Sequence, residues 1–203
     1  MKLYGHPLSS NTRRVQMLCE ELKIPYEYRK VDLSKGEQYR PEYLKLNPNG
    51  KVPALDDNGF VLWESQAILR YLAVKHGAAT WYPTNLKKRA AVEQWLDWHQ
   101  SRLAPEVGKL AMHTLFLGAK ASPQAIEDAK SGLAKILPVM ENALARQPYV
   151  ASENPTLADL AIASTMAYLD MCRFDLSAYP RISDWFGKMK ARPSFKATAA
   201  KGA

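Results

Sequence analysis

Residues 5–15 of the 203-residue chain read Gly-His-Pro-Leu-Ser-Ser-Asn-Thr-Arg-Arg-Val, and an apolar helical pattern follows at once. Two adjacent hydroxyls, Ser9 and Ser10, therefore stand at a helix start. One use for them is capping, in which a serine oxygen accepts a backbone N–H of the first turn. The other is chemistry, because a hydroxyl beside the positive end of a helix can favour a negatively charged group. A second start of this kind is Glu64-Ser65, where free N–H groups and a partial positive charge suit a carboxylate. Between the two, Lys51-Val52-Pro53 leads from a loop into a strand. The histidines His6, His76, His99 and His113 include no pair three or four apart, so the sequence gives a metal no support. Cys19 lies on or next to the apolar face of its helix and, far in sequence from Cys172, reads as a buried structural thiol.

The elements that carry these residues change character near Gly77. Up to that point strand and helix signals alternate. Lys2–Gly5 reads as a short strand, and Val15, Met17, Leu18 and Leu22 follow at helical spacing. Residues 26–31 alternate like a strand, and Leu46–Leu55 is a loop entering another. Asn58-Gly59 predicts a tight hairpin into Phe60–Trp63. Residues 65–74 read as a helix with Ala67, Ile68, Tyr71 and Leu72 on one face. This order implies a small sheet covered by helices. Residues 78–85 have the composition of a linker. Beyond them residues 86–117 and 124–146 read as long helices, parted by a turn at Ala121-Ser122-Pro123. Thr156 and Asp159 have the form of a capping box. Pro180 starts a last helix that ends near Pro193. The expected organisation is thus an α/β domain over 1–77, a linker over 78–85, and an all-α domain over 86–203.

Composition narrows the function classes. An apolar fraction of 47% and a charged fraction of 24% are ordinary for a globular chain. The net charge of +8 favours anionic partners, but its lysines and arginines are spread along the chain. Without a zinc-finger spacing or a glycine-rich loop, nucleic-acid binding is not expected. No apolar leader follows Met1 and no 18-residue apolar run exists, so a cytoplasmic protein with no membrane partner is the expectation. Arg13 and Arg14 stand in the first helical turn, where a cation opposes the dipole. A partner elsewhere in the fold is needed to account for them.

Four features in this order and spacing resemble the cytosolic glutathione transferases over essentially the whole chain: Ser9 before the first helix, Asn47–Leu55 (NPNGKVPAL), Trp63–Ile68 (WESQAI) and Pro155–Ala163 (PTLADLAIA). The resemblance implies a thioredoxin-like N-terminal domain followed by an all-α helical bundle. The stretch LSSNTRRV is similar to the serine-dependent classes, with features shared by phi, theta and zeta, in a bacterial style. The cysteine of the beta and omega classes is absent from positions 9–12.

The resemblance also implies the site. Ser9 is the residue whose hydroxyl faces the glutathione sulfur, with Ser10 and Asn11 as supporting donors or caps. A cis bond at Val52-Pro53 would turn the Val52 backbone toward the cysteinyl part of glutathione. Lys51 would sit near a glutathione carboxylate, and Gln38 near the glycine end. Ser65 would hold the γ-glutamyl carboxylate and Glu64 its ammonium. Leu8, His113 and Phe116 are the implied contacts of a small hydrophobic electrophile. Glutathione is the implied co-substrate, no metal is expected, and a homodimer is the expected assembly. Isomerisation, dehalogenation or non-catalytic glutathione binding on the same fold are the alternatives to conjugation.

Overall fold

The computed structural model describes residues 1–199; residues 200–203 of the expected all-α domain lie outside them. The described chain divides into two compact units, Met1–Ala79 together with the segment from Arg192, and Thr80–Ala191.

The first unit is built on a four-stranded sheet in the order β2-β1-β3-β4. Its strands are β1 (Lys2–Gly5), β2 (Glu27–Lys30), β3 (Ala54–Asp57) and β4 (Phe60–Trp63). β1 runs parallel to β2, and both β1–β3 and β3–β4 are antiparallel. The crossover from β1 to β2 is helix α1 (Ser10–Leu22). The hairpin forms where Asn-Gly predicts it. Asn58 and Gly59 have φ of 54° and 95°, the pair of positive values that a type I′ turn needs. Leu3 and Leu55 face each other across β1 and β3. They are fully buried, as are Val15 and Leu18 of α1 and Ile68 and Leu69 of α3 (Ser65–Lys75). Each such side chain stabilises the fold by roughly 1.5–3 kcal/mol. The buried face of α3 carries Leu69 and Leu72 rather than Ala67 and Tyr71. The Tyr71 hydroxyl instead donates to Asp57 Oδ2 at 2.6 Å, and Lys75 pairs with the same oxygen, tying α3 to the end of β3.

Two short elements for which the sequence gives no signal lie between β2 and the loop that enters β3: a 3₁₀ turn at Glu37–Tyr39 and helix α2 (Pro41–Leu44). Four residues are too few to display a helical period. Near the other end of the chain, the helix begun at Pro180 ends at Ala191, close to Pro193 as expected, but it is not the last, because Pro193 opens another. Pro193 takes the first position of a five-residue helix over Pro193–Ala197, where its missing N–H costs nothing. This segment packs on α1. The Arg13 guanidinium donates to the Phe195 carbonyl at 2.8 Å and lies 3.9 Å over the Phe195 ring. Arg192 grips Glu21 through two bonds of 2.7 Å, and the Ser194 hydroxyl donates to the same carboxylate.

In the helical unit, α4 (Leu86–Trp98) starts on the cap of Asn85, whose oxygen accepts the Lys88 N–H at 3.1 Å. It continues through a π turn at His99–Leu103 into α5 (Ala104–Ala111), and a second π turn follows at Met112–Phe116. The expected long helix over 86–117 is therefore continuous but widened twice. A π turn takes in one extra residue, which shifts the phase of the side-chain pattern without ending the helix. Helix α6 (Pro123–Leu144) begins at the expected turn, with Ser122 as cap and Pro123 at the first position. Helix α7 (Leu157–Met171) is buried along most of its length. Asp159 accepts both the Thr156 N–H at 2.8 Å and the Thr156 hydroxyl at 2.9 Å. The same carboxylate takes the Val150 N–H and the Trp185 indole N–H of α8 (Pro180–Ala191). Glu141 of α6 accepts the Arg181 and Ile182 N–H groups at the start of α8, a further cap supplied from another helix. The five-residue helix Pro193–Ala197 is α9.

Candidate functional site

Register alone gathers the first unit's polar loops. Ala54, at the start of β3, pairs with Tyr4 on one side and Trp63 on the other. The chain leaving β1 toward Ser9, the chain entering β3 through Val52-Pro53, and the chain leaving β4 into Glu64-Ser65 thus lie at one end of the sheet. Gly5 pairs with Lys30 at the same end, so the segment leading from β2 toward Gln38 departs from there as well.

Gly5 must be glycine at this crossing. A Cβ there would stand 2.2 Å from Thr12 Cγ2, inside the first turn of α1. Beyond it, the Ser9 N–H closes a turn on the His6 carbonyl at 3.0 Å. Ser9 is the cap of α1, with φ −82° and ψ 116°, and its Oγ accepts the Thr12 N–H at 3.2 Å. A hydroxyl has one donor and two acceptor sites, so capping leaves its proton for another partner. Ser10 is the first helical residue rather than the cap, and Asn11 is exposed. Leu8 is half-buried, its N–H donating to His6 Nδ1 at 3.3 Å. Burial, with Lys30 nearby, lowers the proton affinity of His6, and Asp32 opposes this.

The Val52-Pro53 bond is cis, as the resemblance implies. What holds the loop before it was not read from the sequence. The Lys51 carbonyl accepts from the Tyr43 hydroxyl at 2.6 Å and from Asn47 Nδ2 at 2.7 Å. Asn47 Oδ1 in turn takes the Asn49 N–H at 3.0 Å. Asn47 stands inside the recognised motif, so its spacing was a usable signal. Tyr43 lies on α2, which carried none. Val52 is buried in a small cluster with Val31, Tyr43 and Ala54, and Lys51 is exposed. Gln38 is buried, and its Oε1 finds no partner among the described residues.

Glu64 caps α3 with φ 70° and ψ 109°, a conformation that side chains other than glycine rarely adopt. Ser65 follows as the first helical residue, buried, with its Oγ accepting from Arg14 Nη1 at 3.3 Å. Arg14 is fully buried, so the arginine that opposed the dipole of α1 serves to join α1 to the start of α3. Neither cysteine is poised as a nucleophile. Burial, with Glu20 nearby, pushes the Cys19 thiol up to about 12, and burial raises that of Cys172 against a hydrogen bond from Thr114.

His113 and Phe116 belong to the helical unit, on its second π turn. His113 Nδ1 accepts the Ser122 N–H at 3.0 Å, which fixes the ring to the approach of α6. Phe116 is 44% exposed and meets Tyr168 edge-to-face at 6.1 Å.

Comparison with known proteins matches residues 1–74 to the glutathione S-transferase N-terminal domain and residues 103–193 to the C-terminal domain. The chain belongs to the glutathione S-transferase family. The transferase is 34% identical to the probable glutathione S-transferase GSTF2 of rice, over 98% of this chain and 96% of that protein. It is equally close, at 34%, to the disulfide-bond oxidoreductase YfcG of Escherichia coli, over 95% and 91% of the two chains. A theta-class transferase from Xanthomonas axonopodis, solved with glutathione bound, superposes with a TM-score of 0.93 at 29% identity, over 99% and 97%. The transferase accordingly uses glutathione as its co-substrate. Among the described residues no group of three or more His, Cys, Asp or Glu could hold a metal ion, and no helix is long and apolar enough to cross a membrane.

Proposed function

We propose that the transferase is a serine-type enzyme in which the Ser9 hydroxyl donates a hydrogen bond to the glutathione thiolate, which then attacks a small hydrophobic electrophile. A cysteine thiol with a pKa of about 8.5 is only about 3% ionised at pH 7, and the thiolate is the nucleophile. A hydrogen bond to a charged group contributes about 1.5–3 kcal/mol, equal to roughly one to two pKa units. The N-terminus of α1 adds a smaller push in the same direction. One serine placed there therefore makes a large part of the bound thiol reactive at neutral pH.

The supporting observation is the bonding of Ser9 itself. Its oxygen is committed to the Thr12 N–H while its proton is not needed for the cap. Around it we assign Val52 to the cysteinyl backbone, Ser65 to the γ-glutamyl carboxylate and Glu64 to the ammonium. Lys51 and Gln38 take the glycine carboxylate, with Ser10 and Asn11 in support. For the electrophile, Phe116 offers an exposed aromatic face, whereas His113 shapes the turn beneath it. The family setting favours a homodimer in the cytoplasm, which light scattering and fractionation test directly. At pH 7, turnover of an aryl halide should fall about 8- to 25-fold in Ser9→Ala, the loss of thiolate that follows from one to two pKa units, with glutathione affinity little changed. Unaltered turnover in that variant rules Ser9 out.

A second activity fits the Escherichia coli relative. With Cys19 protonated and buried, reduction of a disulfide here would use glutathione alone. One thiolate displaces a substrate thiolate to give a mixed disulfide, and a second glutathione releases the other thiol and oxidised glutathione. Assays with a small disulfide and with an aryl halide, run on the same preparation, rank the two.

A further inference from the structure

Ser9 has to hold its proton toward one atom, and a displacement of about 1 Å is enough to cost catalysis. The residue sits at the tip of α1, so what fixes α1 fixes Ser9. One short segment grips that helix near both ends. Arg13, whose own N–H donates to the Ser9 carbonyl at 2.9 Å, reaches the Phe195 carbonyl at 2.8 Å. Its Nε also points to Thr198 Oγ1 at 3.4 Å. Toward the other end of α1, Glu21 is held by the fork of Arg192 and by Ser194. A bidentate guanidinium–carboxylate pair is among the most geometrically specific contacts available to side chains. These contacts use residues more than 170 positions apart in sequence.

We propose that the C-terminal segment Arg192–Thr198, clamped to α1 through Arg13 and Glu21, is a positioning element for the Ser9 hydroxyl. The proposal rests on Ser9 being the thiolate partner. It also gives the first-turn arginine a purpose. Arg13 is tolerated against the dipole of α1 because it carries the link from the Ser9 turn to the end of the chain.

The test is the ionisation of bound glutathione, followed by ultraviolet thiolate absorbance as pH is varied, in Arg13→Ala, Glu21→Gln and Ser9→Ala. Loosening the clamp raises the thiol pKa by about half to one unit, a three- to tenfold loss of thiolate below the pKa. The fall in kcat follows the thiolate and fades above about pH 9, where the thiol ionises unaided, while KM for glutathione stays within about twofold. Glu21→Gln separates positioning from charge. Removing an anion lowers a thiol pKa by simple electrostatics, whereas a displaced Ser9 raises it. A raised pKa in Glu21→Gln and in Arg13→Ala supports the clamp. An unchanged or lowered value in folded Glu21→Gln overturns it while leaving Ser9 standing. An unchanged value in Ser9→Ala overturns the assignment of Ser9 and the clamp together. If Glu21→Gln does not fold, Ser194→Ala, which removes one bond to the same carboxylate, is titrated in its place with the same two outcomes.

Discussion

Both units place polar side chains at helix starts, yet they dispose of the hydrogen bonds differently. In the helical unit the two carboxylates that serve helix starts spend their capacity internally. Asp159 takes the Thr156 N–H and hydroxyl, the Val150 N–H and the Trp185 indole, and Glu141 takes the first N–H groups of α8. In the glutathione unit capacity is left over. Ser9 caps α1 and keeps its proton, Gln38 buries an oxygen without a partner among the described residues, and Glu64 holds a rare backbone conformation at an exposed position. The same local device is structural where every bond closes within the fold. Under the proposed function, Ser9 turns the bond that remains toward a ligand.

Substitutions can break or sharpen that contrast. The largest effect is expected from Asp159→Ala, which strands several buried donors. At about 1–3 kcal/mol for each unsatisfied group, partly relieved by relaxation, the loss should reach about 3–5 kcal/mol in denaturant unfolding. A loss under about 1 kcal/mol would mean that those donors find other acceptors. Ser9→Ala should show the reverse profile, with activity down by the factor given above and stability by only about 1 kcal/mol, the usual worth of a cap. Equal damage to both would erase the distinction between the units.

A smaller, pH-dependent effect belongs to Asp57. Hydrogen bonds from Lys75 and then Tyr71 hold its carboxyl below the ordinary carboxylate range, against burial. A depressed folded-state pKa gives stability that is fully present above the unfolded value near 3.8 and is lost as pH falls through the folded value. Asp57→Asn should therefore be less stable at neutral pH and show a shallower loss on acidification, followed by circular dichroism. Parallel acid profiles would show that the contact contributes nothing. The mildest change is Tyr43→Phe. It removes one of the two donors to the Lys51 carbonyl, a cost of about 0.5–1.5 kcal/mol, and should raise KM for glutathione a few-fold with kcat preserved. An unchanged KM would assign the loop's geometry to Asn47.

Local signals in the sequence carried far. Asn58-Gly59 announced its hairpin, Thr156 and Asp159 their box, and the alternation before Gly77 a small sheet covered by helices. Each of these depends on residues within a few positions of one another. What escaped depends on distance or on backbone alone. The partner of Arg13 lies 182 residues away, Tyr43 acts from a helix of one turn, and the π turns at His99–Leu103 and Met112–Phe116 shift the hydrogen-bond ladder without altering composition. The candidate residues stood out as motifs. Two of the props beneath them, Tyr43 and the Arg14–Ser65 contact, became visible only in three dimensions.

Glu64 sets two kinds of selection against each other. At φ 70° a side chain costs on the order of 1 kcal/mol that glycine would not. Lineages screened only for heat resistance should accumulate Glu64→Gly, gaining melting temperature while shedding the carboxylate assigned to the glutathione ammonium. Populations made to survive on a toxic electrophile should keep the acid and recover the lost stability elsewhere in the chain.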